Sequence, residues 1–246
     1  MKARTLVAWT MMMGTLCGAV LSTADTCINR TASFYNTSVP QLTSDRGAQQ
    51  LIAAIYKDPR AKQLKISMLQ KALSAYERVR KRGIMVQKPV ITVIDYSMPS
   101  SQKRLWVIDL TSGKILFNSL VAHGKNSGSR RYAVHFSNNV NSLQTSLGVF
   151  LTADTYSGRD GYSLKLKGLE RGVNDNALKR HIVMHGASYV SNDTVKITGC
   201  VGRSWGCPAI EPKLVKPIID TIKGGSIIFA YYPDLAYLST STFLNG

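Results

Sequence analysis

The sequence predicts a mostly β domain preceded by a short helical segment. Three observations carry that reading. Apolar residues recur at helical spacing between residues 45 and 82, β-branched runs dominate from Pro89 onward, and turn signals separate those runs. At 246 residues the chain can bury a core without disulfide or metal staples, and its 44% hydrophobic share is ordinary for a globular protein. No internal repeat is visible, which argues against a solenoid or propeller.

Residues 1–24 read as a secretory signal. Lys2 and Arg4 give the charged start, an apolar stretch runs from Leu6 to Leu21, and Ser22-Thr23-Ala24 places small residues before Asp25. A membrane anchor is the alternative, but the run is short and broken by Thr10, Gly14 and Gly18. Residues 25–43, rich in Thr, Ser and Asn, read as a linker.

A helical hairpin is expected over residues 44–88. Thr43 or Ser44 can cap a first helix from Asp45 to Lys57, which Pro59 ends. The second helix is expected from Lys62 to Arg82, stopping at Gly83, with Leu64, Met68, Leu69, Ala72, Leu73, Tyr76 and Val79 on one face.

Residues 89–233 read as the β domain. Val90 to Ile94 is β-branched, and Leu105 to Leu110 and Ile115 to Ala122 flank the turn Thr111-Ser112-Gly113-Lys114. Further strands are expected at Leu147 to Thr155, Tyr162 to Leu169, His181 to His185 and Ser226 to Tyr232. A helix fits between Pro212 and Lys223, limited or bent by Pro217. Residues 234–246 read as a C-terminal tail.

The charge is one-sided: 31 Lys and Arg against 14 Asp and Glu, a net +17. Export, and the lack of a basic run interleaved with aromatics, argue against nucleic acid as the partner. The dense cluster Arg78-Val79-Arg80-Lys81-Arg82 suits a helix C-terminus. Anionic envelope polymers or lipid head groups are the expected partners of the basic surface. Past the signal, Cys27, Cys200 and Cys207 form an odd set. A Cys27–Cys200 bridge and two free thiols both remain open.

Chemistry concentrates at His185-Gly186 and Gly202-Arg203-Ser204-Trp205-Gly206-Cys207-Pro208-Ala209. A thiol nucleophile needs a base, and a histidine brought near in space supplies one. Acyl transfer also needs N–H donors for the developing oxyanion. Gly206 admits a close carbonyl, and its N–H and that of Cys207 are the natural donors. Pro208 restricts Cys207 to extended backbone angles. Catalytic roles therefore fall to Cys207 and His185, with Ser204 as a hydrogen-bonding helper.

Two rival patterns fail in this sequence. Gly202-Arg203-Ser204-Trp205-Gly206 matches a serine-hydrolase elbow, but Pro208 disfavours the helix that must follow, and no histidine comes after His185. His181 and His185 are four apart, yet Ile182 replaces the glutamate of a zinc helix and the run is β-branched. Neither a metal nor a cofactor is expected. On a strand the two histidines share a face, so His181 could line the site.

His185-Gly186 followed by Ser204-Trp205-Gly206-Cys207 resembles the signature of the YkuD-type L,D-transpeptidase catalytic domain. Pro208-Ala209 departs from its common form, which has Arg two positions after the cysteine, and resembles a divergent second branch. His123-Gly124-Lys125-Asn126-Ser127-Gly128, Phe136-Ser137-Asn138 and Ser146-Leu147-Gly148 are similar to that branch too. The resemblance covers roughly Pro89 to Pro233 and implies a β-sandwich or barrel-like fold.

It also implies an exported periplasmic or envelope enzyme acting on peptidoglycan stem peptides. Cys207 would attack the carbonyl before a terminal D-Ala, with His185 as base and then acid. A second stem amine, or water, would resolve the thioacyl enzyme. Gly186 or Ser204 would orient the histidine, and Arg203, Trp205 and His123 would line the cleft. A non-catalytic envelope-binding module of the same fold is the alternative, and the sequence sets no oligomeric state.

Overall fold

The computed structural model describes residues 45–245. The expected signal, the linker, the capping Thr43 or Ser44, and Cys27 lie outside the described residues. The domain is mostly β: an eight-stranded, barrel-like sheet in the order β3-β2-β1-β8-β4-β5-β6-β7. Its strands are β1 (Val90–Asp95), β2 (Leu105–Asp109), β3 (Ile115–Ser119), β4 (Gly148–Gly158), β5 (Gly161–Gly168), β6 (Val183–Gly186), β7 (Ala209–Ile210) and β8 (Ile227–Tyr231). A bridge between Val121, just past β3, and Ile210 in β7 links the two ends of that order. β1 pairs parallel with β8, and β6 parallel with β7; the other pairings are antiparallel.

The helical segment packs on this sheet. Helix α1 (Asp45–Ile55) is followed by a 3-10 turn at Pro59–Gln63 and by α2 (Ile66–Lys81). The second helix therefore starts later than its apolar spacing suggests. Pro59 and the Asp58 cap, which accepts from Arg60 N–H, favour a short separate turn. The predicted face is buried throughout: Leu64, Met68, Leu69, Ala72, Leu73, Tyr76 and Val79. Each large apolar side chain so buried contributes about 1.5–3 kcal/mol, far more than helix propensity supplies. This face packs against β1 and β8, and α4 (Pro212–Ile222) packs Val215, Ile218, Ile219 and Ile222 against the β5–β6 side. β1 and β8 are buried at every position, which explains their unbroken β-branched and aromatic texture.

Two expectations are corrected, and one helix is added. The strand expected from His181 begins at Val183, because residues 171–181 form a run of turns closed by Ile182 N–H on Ala177 C=O, with His181 at φ +55°. A short helix, α3 (Asn192–Thr198), lies in the connection between His185 and Cys207, capped by Ser191 and by Gly199 in the left-handed region. The C-terminal segment is folded: α5 (Leu235–Thr240) and α6 (Thr242–Asn245) bury Tyr237 and Phe243. Glu170 anchors them, its carboxylate accepting from Val149 N–H, Tyr237 OH and Ser241 OH. Among the described residues no helix is long and apolar enough to cross a membrane.

Candidate active site

The β6–β7 register brings the two sequence-distant groups together. His185 pairs with Ala209 in the parallel sense. The residue two before Ala209 then lies level with the residue two before His185. That puts Cys207 beside Val183, and Val183 N–H indeed points at the Cys207 sulfur, 3.5 Å away. The thiol in turn faces the His181 carbonyl at 3.6 Å. His185 projects from the same strand into the same cleft, a cavity of about 500 Å³ that both residues line.

The imidazole of His185 is oriented by the main chain. Its Nδ1 lies 2.9 Å from the Gly186 carbonyl. A carbonyl only accepts, so Nδ1 carries the proton and Nε2 presents its lone pair. His185 and Cys207 share the cleft without a direct hydrogen bond between them. Burial pushes the Cys207 thiol up from its ordinary value, partly offset by Val183 N–H and the Arg180 guanidinium, while Asp160 pushes it further up. The resting sulfur is thus a thiol, and its activation requires a base.

Ser204 organises the turn that carries the sulfur. Its hydroxyl donates to Cys207 C=O at 2.7 Å and accepts from Gly206 N–H at 3.1 Å. It touches the backbone of Cys207, not the thiol or the imidazole. Both of its hydrogen bonds lie inside the turn, which leaves it a poor nucleophile. The Gly206 N–H is therefore engaged by Ser204, whereas the Cys207 N–H makes no hydrogen bond among the described residues and is free to meet a developing oxyanion. Gly206 itself has φ +121°, and a Cβ there would sit 2.6 Å from the Gln144 carbonyl. No larger residue fits without moving that loop.

Arg203 and Trp205 line the cleft. Arg203 Nη1 donates to the carbonyls of Lys125 and Gly128 at 2.8 and 2.9 Å, which fixes one side of the guanidinium and leaves the rest open. Trp205 is 63% exposed. The Lys125 ammonium and the Arg159 guanidinium stand 5.8 and 5.6 Å from its ring centre. His123 is a correction. It is fully buried and does not line the cleft; its Nδ1 meets Arg104 Nη2 at 2.8 Å and its Nε2 the Ser129 carbonyl at 2.8 Å. The buried Arg104 guanidinium needs an acceptor in that space, and His123 supplies it.

Sequence reasoning passed over Arg180, Tyr189 and Asp160, which also line the cleft. The basic triplet Lys179-Arg180-His181 before a predicted strand was the available signal for the first. The cationic lining of Arg159, Lys179, Arg180 and Arg203 faces one acid, Asp160, so the cleft favours anionic groups. Among the described residues no group of three His, Cys, Asp or Glu side chains is placed to hold a metal ion. Among the described residues Cys200 forms no disulfide, and its sulfur faces the Thr198 carbonyl.

A β-rich domain with a cysteine and a histidine facing one cleft invites comparison with known catalytic domains. The family model of the L,D-transpeptidase catalytic domain matches residues 60–231, and the chain belongs to that family. Among solved structures it is similar to an L,D-transpeptidase from Mycobacterium smegmatis, with 14% identity, 58% of this chain and 59% of that one covered, and a TM-score of 0.36. Similar too are an L,D-transpeptidase from Stackebrandtia nassauensis (13% identity, 76% of each chain, TM-score 0.35) and L,D-transpeptidase 1 of Mycobacterium tuberculosis (14% identity, 57% and 60%, TM-score 0.32). The match thus spans less than two thirds of the M. smegmatis chain. Comparison with curated proteins gave no match.

Proposed function

We propose that this protein is an exported, cysteine-dependent L,D-transpeptidase acting on peptidoglycan stem peptides in the cell envelope. The observation that carries the reading is the shared cleft of Cys207 and His185, with Gly186 C=O holding the imidazole so that Nε2 is the basic nitrogen. The family supplies the reaction class, and the cationic cleft suits a donor stem that bears carboxylates.

Catalysis begins when Nε2 of His185 takes the thiol proton. The sulfur adds to the carbonyl that precedes the terminal D-Ala, and the Cys207 N–H donates to the oxyanion. The C–N bond breaks as His185 passes its proton to the departing amine, which leaves a thioester on Cys207 and free D-Ala. An amine of a second stem, deprotonated by His185, then attacks the thioester, and the sulfur departs with that proton as a thiol. Water in place of the amine gives the carboxypeptidase outcome. Because burial holds the thiol protonated, the proton transfer to His185 is what makes the sulfur nucleophilic.

The test is incubation of the purified mature protein with peptidoglycan tetrapeptides and, separately, with a carbapenem, each followed by mass spectrometry. Loss of D-Ala with a tripeptide or cross-linked product, and a covalent adduct on Cys207 absent from Cys207→Ala, are the expected results. Folded wild-type protein that yields neither product nor adduct overturns the reading in favour of a binding module.

A further inference from the structure

Arg180 stands between two parts of the cleft that the chain brings together from far apart. Its guanidinium donates from Nη1 to the Ser137 carbonyl at 2.6 Å and to Ser146 Oγ, and from Nη2 to Ser142 Oγ at 3.0 Å and the Gln144 carbonyl at 2.6 Å. Those four acceptors belong to one loop, residues 137–146. The loop supplies cleft wall through Val140, Asn141 and Leu143. Asn141 and Leu143 have φ of +61° and +58°, conformations that persist only where the surroundings hold them. On its other side the guanidinium reaches the nucleophile turn: Nη2 is 3.4 Å from where a Cβ of Gly206 would lie.

We propose that Arg180 is a positioning residue for the nucleophile, latching the 137–146 loop against the Gly206–Cys207 turn and fixing a positive charge beside the thiol. The proposal rests on Cys207 being the nucleophile. Several groups set the field at the sulfur. His181 and Arg180 come from the turn before β6, His185 from β6, Asp160 from the β4–β5 hairpin, Tyr189 from the segment after β6, and Tyr96 from the end of β1. Burial keeps both tyrosines neutral, with Tyr189 pushed up to about 12. Asp160 opposes a thiolate. Lys179, Arg159 and Arg203 also line the cleft. Arg180 differs from them in being half-buried, with its guanidinium tied at both Nη atoms, so its charge cannot swing away into solvent.

The test is alkylation of the mature protein by iodoacetamide across pH, with the modified cysteine mapped by peptide mass and thermal melting as the check on folding. In Arg180→Gln, Cys207 alkylation should be about tenfold slower near neutral pH with a profile moved to alkaline pH, because a nearby cation favours the thiolate. Cys200, mapped in the same digest, should be unchanged. Arg180→Lys keeps a cation but loses the fork, so its profile should fall between the two. A wild-type profile in the Gln variant overturns the proposal. If the Gln variant does not fold, the Lys variant decides: a slowed, alkaline profile supports the role and a wild-type profile ends it. Alkylation reads the thiol without turnover. A protein that alkylates as expected yet makes no muropeptide product sinks the transpeptidase reading and leaves the role of Arg180 standing.

Discussion

The Ser204 hydroxyl donates to the main-chain carbonyl of Cys207 at 2.7 Å. With the same oxygen it accepts from Gly206 N–H, so one buried side chain closes the turn that presents the sulfur. Ser204→Ala leaves both of those main-chain groups without their partner. Stability should fall by about 1–3 kcal/mol, the cost of stranding buried polar groups, as read by urea unfolding. The carbapenem adduct on Cys207 should still form, but more slowly, since the thiol itself is untouched. Complete loss of the adduct in a folded Ser204→Ala protein would give the hydroxyl a direct chemical role.

Gly206→Ala tests the same turn from the backbone side. At φ +121° an L side chain is strained, and the new Cβ would meet Gln144 C=O at 2.6 Å. Strain of this kind costs on the order of 1–3 kcal/mol, and displacing the loop adds to it. We expect a lower melting temperature together with a fall in acylation rate of at least about tenfold, because a displacement of even an ångström at the reacting atoms is that costly. A variant that melts and acylates like wild type would show that the loop yields freely.

Much of this architecture was legible in the chain, and the failures have physical causes. Helix α2 and the strands β1 and β8 are long enough for their periodicity or β-branching to speak, and they fill the core. The pairing of Cys207 with His185 in one cleft was legible because both residue types sit in a local glycine-bearing motif. Strand β7, two residues long, exists only through its long-range pairings with β6 and with Val121 just past β3, which no local pattern encodes. Helix α3 buries none of its residues, so it carries no apolar stripe; its signals were the Ser191 and Gly199 caps. His123 sits in a glycine-rich stretch that looks like cleft lining, but Arg104, 19 residues away, claims its ring. Arg180 went unnoticed for the same reason, since its partners lie 34 to 43 residues away.

Glu170 offers a test of how the C-terminal helices are held. Burial raises its carboxyl above the ordinary 4.5, against the pull of hydrogen bonds from Ser241, Val149 N–H and Tyr237. A carboxyl whose folded value is raised contributes most below its unfolded value, and that contribution is lost as pH rises through the folded value. Glu170→Gln keeps an acceptor for Val149 and Tyr237 and places its amide against Ser241, without a charge to bury. The variant should therefore be as stable as wild type or more so at neutral pH, and should lack the decline from acid to neutral attributable to this group. Urea unfolding of both proteins across that range checks it. A Gln variant that is less stable at neutral pH would mean that the carboxylate charge itself holds α5 and α6.

His123 should act with the opposite sign. Burial first, and then the Arg104 guanidinium, push its imidazole down from 6.5 to about 4. The unfolded chain then takes up a proton on this ring at a pH where the folded protein does not. Its contribution is fully present above the unfolded value and is lost as pH falls from about 6.5 to about 4. The loss amounts to up to about 3 kcal/mol. His123→Gln can keep an oxygen toward Arg104 and an amide toward the Ser129 carbonyl, but it does not titrate. Glu170 and the other carboxylates are common to both proteins, so the difference between their stability curves isolates the ring. Wild type should lose stability relative to the Gln variant across that window in urea unfolding. Parallel curves would mean that the ring takes up its proton over the same pH range folded and unfolded, with Arg104 then satisfied by its carbonyl partners at Met98 and Val121 alone.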